Sequence, residues 1–213
     1  MKRIRLLLAD DHDIVLEGLR RVLDQPDFEI VGAVKDGRAL LRAVDELQPD
    51  IVISDITMPQ LNGIDAARQI RKDHPKVKII FLTMHPDVTF ATEALQAGGA
   101  GYVLKSAAGD ELVAAIREAL RGSTFVTESV AKAVKQFSSP RSQAWRDRGD
   151  QLTSRQREVV QLLVEGHSVK EVAAKLHVSP RTVEFHKYRV LQELGLRTIA
   201  ELSRYAVRHG IVA

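Results

Sequence analysis

Cysteine is absent from the 213 residues, which excludes disulfides and thiolate metal sites. No apolar run approaches the roughly 20 residues that a membrane-spanning helix needs. The opening Met1-Lys2-Arg3 and its short apolar sequel also lack a small-residue cleavage site. These absences place the chain, as an expectation, in the cytoplasm and off the membrane. Aromatics are few, at 5% against 45% hydrophobic residues, yet the composition is ordinarily globular and shows no sign of disorder. Aspartate is missing from 151–213, where 10 Lys+Arg stand against 6 Asp+Glu, a net +4. The first 122 residues hold 16 against 19, a net −3, and 123–150 hold 5 against 3, a net +2. An acidic front and a basic back imply different partners, and the back is where nucleic acid is expected.

Short β-branched or leucine-rich runs at 3–9, 28–34, 50–54, 77–82 and 101–104 alternate with amphipathic stretches near 13–24, 37–47, 62–73, 86–98 and 108–121. Five βα units in series predict a doubly wound, five-stranded parallel sheet with helices on both faces. Pro26, Pro49 and Pro75 each break a helix just before a strand. This first domain is expected over 1–122. A short helix over 128–137 and a polar stretch through Trp145 to Asp150 follow, so that 123–150 reads as a linker. In 151–213 the start signals are dense. Thr153-x-x-Gln156, Ser168-x-x-Glu171 and Thr198-x-x-Glu201 are capping boxes, Ser179-Pro180 is an N-cap followed by proline, and Gly166, Gly195 and Gly210 mark helix ends. A second, smaller, all-helical domain is predicted there.

Polar and ionic residues sit where the apolar runs stop: Asp10-Asp11 after the first strand, Asp55 after the third, Thr83 at the close of the fourth and Lys105 after the fifth. In a sheet of order 2-1-3-4-5 these ends converge at the switch point between strands 1 and 3. Carboxylates gathered there repel one another unless a hard divalent cation, magnesium, sits among them and a lysine adds positive charge.

The arrangement resembles the receiver domain of two-component response regulators over essentially all of 3–121, a flavodoxin-like fold. The resemblance implies that Asp55 accepts a phosphoryl group. It also implies that Asp10, Asp11 and Asp55 surround Mg2+ with the Thr57 main-chain carbonyl as a further ligand, that Thr83 bonds the phosphoryl group, that Lys105 pairs with it, and that Tyr102 is the switch aromatic. Lys105 is followed by Ser106 where many receivers have proline. Thr57 and His85 occupy the two family positions that influence how long the phosphoryl group lasts.

Two helices joined by the turn His177-Val178-Ser179 predict the geometry that lays a second helix in a major groove. Residues 152–208 are similar to the LuxR-type helix-turn-helix of NarL/FixJ response regulators, carried by Gly166, Glu171, Leu176, Ser179, Thr182, Val183, His186, Leu194 and Gly195. Val169 departs from it, standing where asparagine is common. Helical spacing assigns Val183, Val190 and Leu194 to the core, whereas Arg181, Glu184, Phe185 and Tyr188 share the opposite face, expected to meet base edges with Thr182 alongside. Glu184 has intrahelical partners within reach in Lys187 and Tyr188. Lys170, Lys187 and Arg189 are placed for phosphates.

Together these features predict a transcription factor that takes a phosphoryl group from a sensor histidine kinase, binds double-stranded DNA as a homodimer, and turns over no free substrate. Two other readings stay open here. One is a phosphorylation-independent DNA-binding regulator with a structural receiver. The other is a magnesium-dependent phosphatase using Asp11-His12-Asp13, for which no cap-sized insertion exists.

Overall fold

The strand and helix periods of the sequence resolve into two compact units, Met1–Ser139 and Pro140–Ala213, in a computed structural model that describes residues 3–137 and 152–212. In the first unit β1 (Ile4–Ala9), β2 (Phe28–Val34), β3 (Ile51–Ser54), β4 (Lys78–Thr83), β5 (Gly101–Leu104) and β6 (Phe125–Val126) form one sheet of order β2-β1-β3-β4-β5-β6, parallel throughout. The expected five-strand order lies inside it, and the sixth strand corrects the predicted count. Two residues cannot display a period of two, so β6 left no pattern to read.

Helices α1 (Asp13–Val22), α2 (Gly37–Leu47), α3 (Gly63–Asp73), α4 (Val88–Gln96) and α5 (Ala108–Leu120) cover the sheet, and alternation along the strands divides the core in two. Leu7, Val52, Phe81 and Tyr102 pack with Leu40, Ile64 and Ala91 on one face. Leu6, Leu8, Ile53, Leu82 and Val103 pack with Leu16, Leu19, Leu112 and Ile116 on the other. Burial on both faces is why the central strands are apolar almost end to end, and it leaves their carboxyl ends as the place for polar groups. Helix α6 (Glu128–Phe137) buries Val130 and Val134 in the core that also holds Ala91 and Ala94 of α4. The rest of the predicted linker, 138–150 with Trp145, lies outside the described residues.

The second unit contains α7 (Ser154–Val164), α8 (Val169–Lys175), α9 (Pro180–Leu194) and α10 (Ile199–Arg208). All three predicted capping boxes close in both directions, and Ser179 accepts from the Thr182 amide ahead of Pro180. Gly166, Gly195 and Gly210 have φ of 92°, 66° and 60°, the left-handed conformation that ends a helix at least cost to glycine.

Gly63 lets α3 begin directly beneath the third strand's end. A Cβ there would lie 2.0 Å from the Asp55 carbonyl oxygen. Gly63→Ala is therefore expected to cost about 1–3 kcal/mol of stability by overpacking. Gly18→Ala, exposed on α1 with nothing within 4 Å of the added Cβ, is expected to add about 0.5–1 kcal/mol. Urea midpoints for the two variants should move in opposite directions.

Candidate functional site

Pairing of β1 with both β2 and β3 opens a crevice at their carboxyl ends, and the side chains following each strand turn into it. The Asp55 amide donates to the Ala9 carbonyl at 2.8 Å, extending the ladder by one rung and bringing Asp55 beside Asp10. Asp10 and Asp55 are 1% and 5% exposed, while the Asp11 side chain is 32% exposed. Lys105, arriving from the end of β5, donates from Nζ to Asp55 Oδ2 at 2.7 Å and lies 2.6 Å from Asp10 Oδ2. The other oxygen of Asp55 accepts from the Ile56 amide at 2.6 Å, so each carboxylate oxygen of that residue is held.

The electrostatics follow from burial. Desolvation raises the Asp55 pKa above its ordinary 3.8, and Lys105 only partly reverses this. For Lys105, burial is the largest single influence and lowers its pKa, but hydrogen bonds and charges of Asp10 and Asp55 together outweigh it and the net shift is upward. Ligand atoms of Asp10, Asp11, His12 and Asp55 all lie within 4.8 Å of one another. Asp10 Oδ2 and Asp11 Oδ1 are buried without well-formed hydrogen bonds, their neighbours being the Lys105 ammonium and the His12 ring nitrogen respectively. A cluster of hard carboxylate oxygens of this kind fits a divalent cation.

His12, which the receiver resemblance gives no role, also reaches the pocket: its Nδ1 stands 3.1 Å from Asp10 Oδ1 and 2.9 Å from Asp11 Oδ1. Around the rim, Thr83 is fully buried at the end of β4, and its Oγ1 accepts from the His85 amide at 3.2 Å. Helix α4 is capped by Asp87, which accepts from the Thr89 amide, so Thr83 is left to the pocket. Thr57 turns its hydroxyl to His85 Nε2 at 3.2 Å. The Tyr102 ring is wholly buried, and its hydroxyl donates to the His85 carbonyl at 2.6 Å. Burial, followed by the charges of Asp87 and Asp55, raises the Tyr102 pKa and keeps the phenol protonated. His85, stacked on Phe90 with centroids 4.5 Å apart, thus meets three of the predicted residues at once.

On α9, Val183 and Val190 are fully buried, whereas Arg181, Glu184, Phe185 and Tyr188 are exposed, Phe185 at 56% and Tyr188 at 67%. That division follows the helical spacing. Glu184 pairs with Lys187 at 3.4 Å, and Arg189 pairs with Glu193 at 2.9 Å while its guanidinium lies 5.9 Å from the Phe185 ring centre. Thr182 is half-buried and its hydroxyl is 2.8 Å from that of Ser179, within the cap. Lys170 and Arg181 are exposed and form no ion pair among the described residues.

Residues 6–117 match the model of the response regulator receiver domain, and 150–206 match that of the bacterial regulatory proteins of the luxR family. Among curated proteins, the chain is 34% identical over 98% of both lengths to the response regulator GacA of Pseudomonas aeruginosa. Among solved structures, it is similar to RcsB of Salmonella enterica serovar Typhimurium bound to a promoter in the presence of phosphomimetic BeF3−, at 29% identity and a TM-score of 0.60, covering 96% of this chain and 98% of that one. A structure of two RcsB dimers bound to two parallel DNAs is alike at 29% identity and a TM-score of 0.61, covering 97% and 98%.

The raised pKa of Asp55 has a sign that can be measured. Between pH 3.8 and its higher folded value, the folded chain holds more protons at this site than the unfolded chain, so this group's contribution to stability falls as pH rises. Asp55→Asn removes that loss. In metal-free buffer its stability relative to wild type should improve as pH is raised from about 4 to 7. A difference between the two urea midpoints that stays constant over this range would contradict the assignment.

Proposed function

The chain belongs to the response regulators that join a receiver domain to a LuxR-type DNA-binding domain, and from that membership we propose a transcription factor whose hold on promoter DNA is set by phosphorylation of Asp55. The observation that carries this reading is Lys105 Nζ, 2.7 Å from Asp55 and 2.6 Å from Asp10, where three parallel strands end. A carboxylate attacking phosphorus needs its own charge and that of the phosphoryl group offset, and fixed cations do this without a general base.

A sensor histidine kinase is the donor. Its phosphohistidine nitrogen–phosphorus bond breaks as the bond from an Asp55 oxygen to phosphorus forms. Asp10, Asp11 and Asp55, with the Thr57 carbonyl, would hold Mg2+, which supplies positive charge to the phosphoryl oxygens when bound. Lys105 follows the charge from carboxylate to phosphoryl oxygen. Thr83 turns its hydroxyl from the His85 amide to the phosphoryl group, and Tyr102, bonded to the same His85, registers the change. The only chemistry assigned to the pocket is gain and loss of this one group, in keeping with a family of regulators rather than enzymes.

In the second domain Arg181, Phe185 and Tyr188 are the base-reading set, with Glu184 and Thr182 beside them, and Lys170, Lys187 and Arg189 serve the phosphates. The RcsB dimers on DNA support a homodimer on paired half-sites for this chain, acting in the cytoplasm where its DNA lies.

A small-molecule phosphodonor should label wild type with one phosphoryl group per chain and leave Asp55→Asn unlabelled, while Lys105→Met slows labelling by about 100-fold, as loss of one preorganised charge does. His85→Ala should alter the half-life of the labelled protein; an unchanged half-life removes His85 from that role. On DNA, Lys170→Ala should reduce the slope of log affinity against log salt by about 0.9 without changing sequence preference. Arg181→Ala should relax that preference. Equal operator affinity for wild type and Asp55→Asn, with and without phosphodonor, would instead describe a constitutive binder.

A further inference from the structure

Thr127 lies outside the pocket, after β6, yet every hydrogen-bonding atom it owns is engaged. It is 4% exposed. Its amide donates to the Tyr102 carbonyl at 3.0 Å, and its carbonyl accepts from the amides of Val130 and Ala131 at 2.9 and 3.0 Å, which starts α6. Its hydroxyl oxygen accepts from the Leu104 amide at 3.1 Å and donates to Glu111 Oε2 on α5. The main-chain pairing of β5 with β6 stops at Tyr102 and Val126, so the Thr127 side chain supplies the next rung of the ladder.

That rung falls on the amide of the residue immediately before Lys105. Lys105 leaves β5 in a single tight turn, Lys105–Ala107, and must still bring Nζ to both Asp10 and Asp55. A lysine side chain has many rotamers, and the direction in which its backbone launches it decides which of them reach the carboxylates. Glu111 fixes the Thr127 hydroxyl hydrogen, which leaves a lone pair aimed at the Leu104 amide.

We propose that Thr127 is a positioning residue for Lys105, acting through the Leu104 amide to set the lysine's reach to Asp55. The proposal rests on the reading of Asp55 as phosphoryl acceptor. It also gives β6 a task in the pocket chemistry although no atom of β6 enters the pocket.

The test compares full-length Thr127→Val, which keeps the shape and loses the hydroxyl, with Thr127→Ser, which restores it. Labelling of Asp55 by a small phosphodonor, measured well below the unfolding temperature, should slow by about tenfold in the valine variant, the lower end of what loss of a supporting partner does at metal sites, and recover in the serine variant. The second readout needs no phosphodonor: the nitrogen resonance of Lys105 Nζ should shift and broaden in Thr127→Val and return in Thr127→Ser. A wild-type Nζ signal in the valine variant overturns the proposal, whereas a shifted signal together with unlabelled wild type would count against Asp55 as acceptor and leave the positioning intact. Should Thr127→Val fail to fold, Glu111→Ala frees the hydroxyl on a helix that tolerates alanine, and an unmoved Nζ signal there overturns the proposal equally.

Discussion

One buried ammonium holds the receiver pocket together. Asp10 and Asp55 are almost fully enclosed, and two carboxylates at that depth repel each other with little water to screen them. Lys105 touches both, and the upward shift of its own pKa shows that the pair of acids repays the lysine's desolvation. Asp55 remains raised in spite of it, so the compensation is incomplete on its side. A group in that condition gains most from additional positive charge. With three carboxylates against one ammonium the pocket is left with excess negative charge, which a bound divalent cation would offset.

The sheet makes this arrangement affordable. Strands covered on both faces leave little room for ionic side chains along their length, so these gather towards the strand ends. Parallel pairing then brings all the carboxyl ends to one edge. The Asp55 amide bonds Ala9, and Gly63 passes so near the Asp55 carbonyl that no side chain fits between. The Asp55 backbone is thereby held from both sides.

Much of this was legible in the order of residues. Asp10, Asp55, Thr83 and Lys105 each follow an apolar run, and the topology implied by five βα units is enough to bring them together. The faces of α9 were equally plain, since Arg181, Glu184, Phe185 and Tyr188 recur at helical spacing and the buried valines fall between them. What was hidden depended on rotamers and main-chain atoms. Nothing in the chain announces that the Ile56 amide would hold Asp55, or that the His12 ring would fold back on Asp10 and Asp11. Glu184 had two partners within reach, and only coordinates distinguish Lys187 from Tyr188. β6 was invisible for a simpler reason, being shorter than the pattern that identifies a strand.

His85 shows why those hidden contacts matter for signalling. Its amide is held by Thr83, its carbonyl by Tyr102 and its ring by Thr57 and Phe90. If Thr83 turns to a phosphoryl group, the amide loses its acceptor, and a loop with one anchor fewer is free to shift. The Tyr102 hydroxyl must then follow the carbonyl or leave an unpaired polar atom in the core, which costs about 1–3 kcal/mol. Tyr102 in turn shares β5 with Lys105 and pairs through its own carbonyl with Thr127, the first anchor of α6. The path from the pocket to the segment that leads out of the first domain is therefore a short series of hydrogen bonds.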